Sequence, residues 1–263
     1  MLRKTHEQRD MERGHMKSRI PSIAALSVVL CVAGAAIAVN IGTVRDTSAL
    51  EHRQSFAPSN PPAPPVSIPS KQEILDQLLK MTRIKKFGVA LWSEKAGMAP
   101  EGLVFVGSSL GGSADYQFLS QLGVKTLLSM QALHHDDEIS CSAYGMNCVR
   151  YGILASPFAN FARNPVFRRA FDRLVKDTTA GTKVYIHCMK GMHRTGALMS
   201  ALTIRNTACG KQFDKAALHK DIEEALMRDY GFDEFFFGFV LLKWHYDVLD
   251  WVDQFEENQW ICE

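Results

Sequence analysis

The run His187-Cys188-Met189-Lys190-Gly191-Met192-His193-Arg194-Thr195-Gly196 sets a cysteine and an arginine at the two ends of a short, glycine-containing turn. A thiol is a nucleophile once its thiolate is stabilised, and a guanidinium grips two oxygens of a phosphoryl group at once. The flanking segments supply the necessary field. Lys183-Val184-Tyr185-Ile186 alternates in the manner of a buried strand, and Ala197 to Leu202 opens a helical pattern. A strand, a tight loop and a helix start turn several backbone N–H groups towards one point, which favours an anion. Those N–H groups and Arg194 together favour the ionised form of Cys188. The spacing therefore predicts a cysteine that attacks phosphorus.

Other readings of the same residues are weaker. A cysteine ending a core strand is ordinarily an inert small hydrophobe, but the arginine, glycines and threonine at fixed spacing argue otherwise. A metal site built on His187, Cys188 and His193 lacks a second close Cys/His pair, and loop N–H groups suit an anion. No metal and no cofactor are expected.

The string resembles the signature of the protein tyrosine phosphatase superfamily: His-Cys, five residues, Arg, then Ser or Thr and Gly. Its His-Arg-Thr-Gly ending is most similar to the compact, dual-specificity-like branch, and the resemblance spans about residues 100–230. It implies a phosphocysteine intermediate on Cys188, with Arg194 on the phosphoryl oxygens. Thr195 would hydrogen-bond the thiolate, and His187 would orient the loop and help depress the thiol pKa. Met189, Lys190, Gly191, Met192 and His193 would line the phosphate site with Arg194. A rhodanese-like sulfurtransferase also cradles an anion beside a cysteine, but its loop is typically one residue shorter.

Cleaving a phosphoester with a poor leaving group needs a proton donor. The resemblance implies an aspartate on a loop preceding the cysteine, yet residues 150–164 contain neither Asp nor Glu. His193 and Asp137 are the alternative candidates, the latter from the acidic turn Asp136-Asp137-Glu138. A substrate whose leaving group needs little protonation is the other solution, and activity on alkyl phosphates is expected to be slow.

Positive charge is concentrated in residues 1–19, and residues 20–44 then contain no charged side chain. That length suits a membrane-spanning helix, and the flanking charges place its N-terminal side in the cytoplasm. The catalytic part would then be extracytoplasmic. A cleaved export signal is the alternative, since Ala36-Ile37-Ala38 has the shape of a cleavage site. Residues 45–69 form a proline-rich spacer, with six of the ten prolines in 55–70. The folded part is expected over 70–263, opened by a Ser70/Glu73 capping box with Ile74, Leu75, Leu78 and Leu79 on one helix face.

Downstream, strands at 87–92, 103–106, 124–129, 148–154 and 183–187 alternate with helices at 112–122, 164–178, 195–207, 213–229 and 233–255. This predicts an α/β fold, a central, mostly parallel sheet flanked by helices, with chemistry at the strands' C-terminal ends. The aromatic last helix is expected to pack across the sheet. A formal net charge of +2 gives no indication of nucleic acid as a partner. Of six cysteines, Cys141, Cys148, Cys209 and Cys262 have two readings, paired in an oxidising compartment or reduced and buried. Pairing would favour export, whereas an oxidising compartment threatens Cys188 itself.

Two functions of different classes follow. The first is a membrane-anchored, cysteine-dependent phosphatase acting on a phosphorylated protein or a small phosphate ester. The second is a catalytically weak phosphate-recognition module. Inositol phosphates and pyrophosphates are a further substrate class, disfavoured because Met189 and Met192 stand where extra basic residues would be expected.

Overall fold

The computed structural model describes residues 68–154, 160–232 and 238–263, with only the backbone of 238–242. In chain order the elements are α1 (Lys71–Met81), β1 (Gly88–Ser93), β2 (Glu101–Gly107), α2 (Ser113–Gln121) and β3 (Thr126–Gln131). Then come α3 (Glu138–Ala143), β4 (Asn147–Ile153), α4 (Pro165–Thr179), β5 (Val184–His187), α5 (His193–Ala208), α6 (Lys215–Arg228) and α7 (Gly238–Asp253). The strands lie in the order β1-β2-β5-β3-β4, and β1 is antiparallel to β2 while the other pairs are parallel.

Alternation along the short β5 divides the core. Val184 and Ile186 join Val104, Val106, Leu128 and Met130 on the face covered by α4, α5, α6 and α7. Tyr185 points the other way and packs with Phe105, Leu127, Tyr116 and Leu119 beneath α2. Because the period is two, Cys188 falls on the first face and His187 on the second. Trp244 and Trp251 of α7 are buried with Phe161, Phe167 and Phe171, so the aromatic helix does pack into the core. Phe235, Phe236 and Phe237 fall outside the described residues.

Local signals mark several boundaries. The Ser70/Glu73 capping box opens α1, and Asn164 caps α4 with Pro165 at its first turn. The apolar stripe of α1 is little covered: none of its residues is buried and Leu79 is 44% exposed. One expectation needs correction. The acidic turn after β3 is the cap and first turn of α3, with the Asp137 side chain accepting from Ile139 N. Asp, Glu and Ser cluster there because they satisfy the free N–H groups of a helix start. No helix among the described residues is long and apolar enough to cross a membrane; the expected span at 20–44 lies outside them.

Cys141 pairs with Cys148 and Cys209 with Cys262, leaving Cys188 as the free cysteine among the described residues. The second bridge ties the end of α5 to the chain's last turn across a separation of 53 residues. Restricting the unfolded chain over that span is worth about 4 kcal/mol. Replacing Cys209 and Cys262 together by alanine is therefore expected to lower the thermal midpoint by roughly 8–16 °C. Calorimetry on the two proteins checks this; an unchanged midpoint would show that the bridge carries no stability.

Candidate active site

The loop between β5 and α5 stands at the C-terminal edge of the central strand, flanked by β2 and β3. Gly191 gives it its shape. Its φ of 71° is left-handed, and a Cβ there would overlap the Gly107 carbonyl and approach Ser108 N to 2.6 Å. The loop therefore lies directly against the end of β2. Ser109 N and Oγ both donate to Met189 O, at 3.3 and 3.2 Å, and fasten the loop's first turn. Tyr185 OH donates to Ser108 O at 2.6 Å and holds that supporting backbone from below.

Cys188 sits at the base of this loop, 3% exposed. Burial pushes its thiol pKa up. The Arg194 charge, the Thr195 hydroxyl and the backbone N–H groups of Thr195 and Met192 outweigh burial, and the net shift is downwards. Thr195 Oγ1 is fully buried and has no partner of ordinary hydrogen-bond geometry. A buried hydroxyl without a partner is costly, and the group it acts on is the Cys188 sulfur. Negative charge on that sulfur supplies the acceptor that the hydroxyl otherwise lacks. Thr195→Val is expected to raise the pH midpoint of Cys188 alkylation by iodoacetamide above that of the wild type, whose midpoint lies below the ordinary thiol value of about 8.5. A thiol depressed in the fold adds stability above its unfolded pKa, and that contribution is lost as pH falls through the folded value.

Arg194 Nη1 donates to Met130 O at 3.1 Å and to Ile153 O at 2.6 Å, the ends of β3 and β4. Two strands thereby fix the guanidinium plane. Its Nε and Nη2 hydrogens make no bond to described residues, and they form the edge that suits two phosphoryl oxygens.

His187 is fully buried beside the nucleophile. Its Nδ1 lies 3.4 Å from Gln131 Nε2, and its Nε2 lies 3.0 and 3.2 Å from the two Asp136 carboxylate oxygens. A Gln N–H facing Nδ1 and a carboxylate facing Nε2 assign the tautomer protonated at Nε2. Gln131 carries no signal of this role in the sequence, whereas the acidic turn that contains Asp136 does reach the site. Asp136 lies within an acidic turn whose ordinary reading is solvation, and only the tertiary fold brings it to 10% side-chain exposure.

The two expected proton donors have partners of their own. Asp137 caps α3 and accepts from Ser140 Oγ at 2.6 Å. The Ser140 hydroxyl, outweighing slight burial, lowers its pKa and keeps it ionised. His193 turns towards the segment after α6, with Nε2 3.4 Å from Gly231 O and its ring edge-on to Phe232. Met189 and Lys190 are exposed at the loop's outer rim, while Gly191 and Met192 are buried beneath it. Residues 155–159 of the loop expected to bear the acid lie outside the described residues. Among the described residues, no three His, Cys, Asp or Glu side chains converge as a metal site.

No protein-family model matches the sequence, and no curated protein matches it either. Solved structures do overlap with it. The core catalytic domain of the PP-IP phosphatase SIW14 from S. cerevisiae, solved with citrate, is 15% identical, covers 68% of this chain and 96% of its own, and has a TM-score of 0.43. TpbA of P. aeruginosa is 19% identical over 59% of this chain and 86% of its own, with a TM-score of 0.43. PTPMT1 is 12% identical over 59% and 94%, with a TM-score of 0.39.

Proposed function

We propose that this protein is a cysteine-dependent phosphatase hydrolysing phosphomonoesters through a phosphocysteine intermediate. One observation carries the reading: Cys188 is buried, yet its thiol is depressed by Arg194, Thr195 and loop N–H groups. A structural cysteine buried to that degree would shift the other way. In the first step the thiolate attacks phosphorus, the S–P bond forms and the ester O–P bond breaks. Arg194 and the loop N–H groups hold the equatorial oxygens, whose charge they neutralise in the transition state. In the second step water attacks phosphorus and the S–P bond breaks. The returning charge on sulfur is met by the Thr195 hydroxyl.

His187 and Asp136 act as supports in this reading. Asp136→Ala strands the buried His187 Nε2–H, at a cost of about 1–3 kcal/mol. Asp136→Asn keeps an acceptor and is expected to recover most of that loss in thermal unfolding. A general-acid role for Asp136 would appear instead as a selective kcat loss in Asp136→Asn with poor leaving groups.

Asp137 is held by Ser140 and His193 lies against Gly231 O, so this reading favours a substrate whose own leaving group carries much of the departing charge. Aryl phosphates are the expected substrates, phosphotyrosine among them. An absent general acid costs roughly 100- to 10,000-fold, so kcat/KM for phenyl phosphate is expected to exceed that for an alkyl phosphate by such a factor. Comparable rates on both would reveal a proton donor. The decisive experiment treats the purified whole chain with phenyl phosphate, with and without vanadate, and searches acid-quenched protein for phosphate on the Cys188 peptide. Vanadate-sensitive turnover with phosphocysteine is expected; phosphate binding without turnover would leave a recognition module.

We place this domain outside the cytoplasm, attached through the apolar 20–44 segment. The two bridges support that placement, because such pairs persist in oxidising compartments. They also ease the conflict with a thiolate nucleophile. Every other cysteine among the described residues is already paired, so Cys188 has no free thiol beside it to close a disulfide.

A further inference from the structure

We propose that the bridge between Cys141 and Cys148 is a redox switch on this phosphatase. The bridged form is active, and the dithiol form is weakened because Asp136 leaves His187. The inference rests on the phosphatase reading and adds to it a means of control.

The bridge stands close to the support of the nucleophile. Asp136 lies 3.0 and 3.2 Å from Nε2 of the buried His187, the residue before Cys188. The next residue, Asp137, caps α3. Cys141 N donates to Asp137 O at 2.9 Å, so a single helical turn joins the bridged cysteine to the cap.

Little else fixes that turn. α3 has six residues, far short of the length at which a helix holds by itself. Its buried residues are Ser140 and Cys141, and Ile139 is 81% exposed. Tyr144 and Met146, just past its C-terminal end, pack on the core beneath α2. At the other end the tie to α2 is polar, with Tyr116 OH accepting from Asp137 N at 2.8 Å. Water offsets most of the gain from such a bond. β4 is the firmer partner of the bridge, because it is paired with β3 from Asn147 to Ile153. Opening the bridge therefore frees the start of α3 rather than the strand.

Access follows the same geometry. β4 is an edge strand on which Cys148 is half-buried, whereas Cys141 is 5% exposed. A dithiol reductant attacks the Cys148 sulfur and forms a mixed disulfide there. The bond to Cys141 breaks, and Cys141 leaves as a thiolate that takes up a proton. The reductant's second thiol then closes its own disulfide and releases Cys148 as a thiol. Two electrons and two protons pass from the dithiol to the protein. Asp136 then departs, and the buried His187 N–H loses its acceptor. The chain is thus held weak among reducing thiols and gains activity on oxidation.

The other bridge is a built-in comparison. Cys209 lies just past the far end of the 16-residue α5, roughly 24 Å from the loop. The test titrates dithiothreitol onto the whole chain and onto its Cys209→Ala, Cys262→Ala variant, and maps bridge opening by peptide mass. As the bridge from Cys141 opens, kcat/KM for phenyl phosphate is expected to fall about 5- to 150-fold and to return on reoxidation. A reductant preserves the Cys188 thiol, so its effect on the nucleophile runs the other way. Cys141→Ala combined with Cys148→Ala should show the low activity without reductant. In an Asp136→Ala background, opening the bridge should lower activity no further. Activity that holds with the bridge open, or a full loss in Asp136→Ala as well, overturns the proposal. Two readouts need no turnover: amide exchange across 136–143, and calorimetric binding of inorganic phosphate by the Cys141→Ala, Cys148→Ala chain. Faster exchange and weaker binding are expected even if the phosphatase reading fails; protected amides and unchanged binding overturn the switch alone.

Discussion

Cys188→Ser is expected to reduce phenyl phosphate hydrolysis on the order of 10,000-fold or more while phosphate binding persists. The reason is ionisation rather than shape. The loop lowers the pKa of a thiol that ordinarily titrates near pH 8.5, so the thiolate fraction at neutral pH rises above that of a free thiol. A hydroxyl is a far weaker acid than a thiol, and the same field leaves it protonated. Arg194 stays anchored on Met130 O and Ile153 O, so the phosphate grip is preserved. Kinetics with phenyl phosphate and calorimetry with vanadate together check the result. Residual turnover near wild type would mean that some other group performs the attack.

Gly191→Ala is expected to abolish activity through geometry alone. The left-handed backbone costs an L-residue about 1–2 kcal/mol, and the new Cβ would overlap the Gly107 carbonyl carbon and oxygen. These are backbone atoms of β2, held in register against β5, and they cannot swing aside as a side chain would. The loop must lift away, taking Met189 from Ser109 and the loop N–H groups from the phosphate. A destabilisation of roughly 2–5 kcal/mol is expected from the combined strain and overpacking. Thermal unfolding and an iodoacetamide pH profile separate the two effects. In a variant that still folds, the Cys188 midpoint should move up towards the free-thiol value, because the N–H groups that depress it have moved. An unchanged midpoint would show that the loop tolerates the methyl and that Gly191 is not its hinge against β2.

Much of the frame is legible residue by residue. Asn164 with Pro165, and Ser70 with Glu73, announce helix starts because capping is a local hydrogen-bonding problem solved within four residues. The alternation in Val184-Tyr185-Ile186-His187 announces a buried strand for an equally local reason. The antiparallel β1 is different: strand direction depends on a pairing that no local pattern encodes. The same holds for α1, whose apolar stripe has helical spacing but meets little to pack against.

The nucleophile, the phosphate grip and the turn between them are determined by the sequence itself, because they occupy one contiguous stretch from His187 to Gly196. Their spacing dictates their chemistry wherever that stretch is folded between a strand and a helix. What surrounds them was decided only by the tertiary structure. Asp136 and Gln131 stand on His187. Asp137, expected as a proton donor, is committed to a helix cap instead. The physical reason is distance along the chain. A side chain's neighbours within one turn follow from its own spacing, but partners fifty or a hundred residues away depend on strand order and register, which the whole core sets at once.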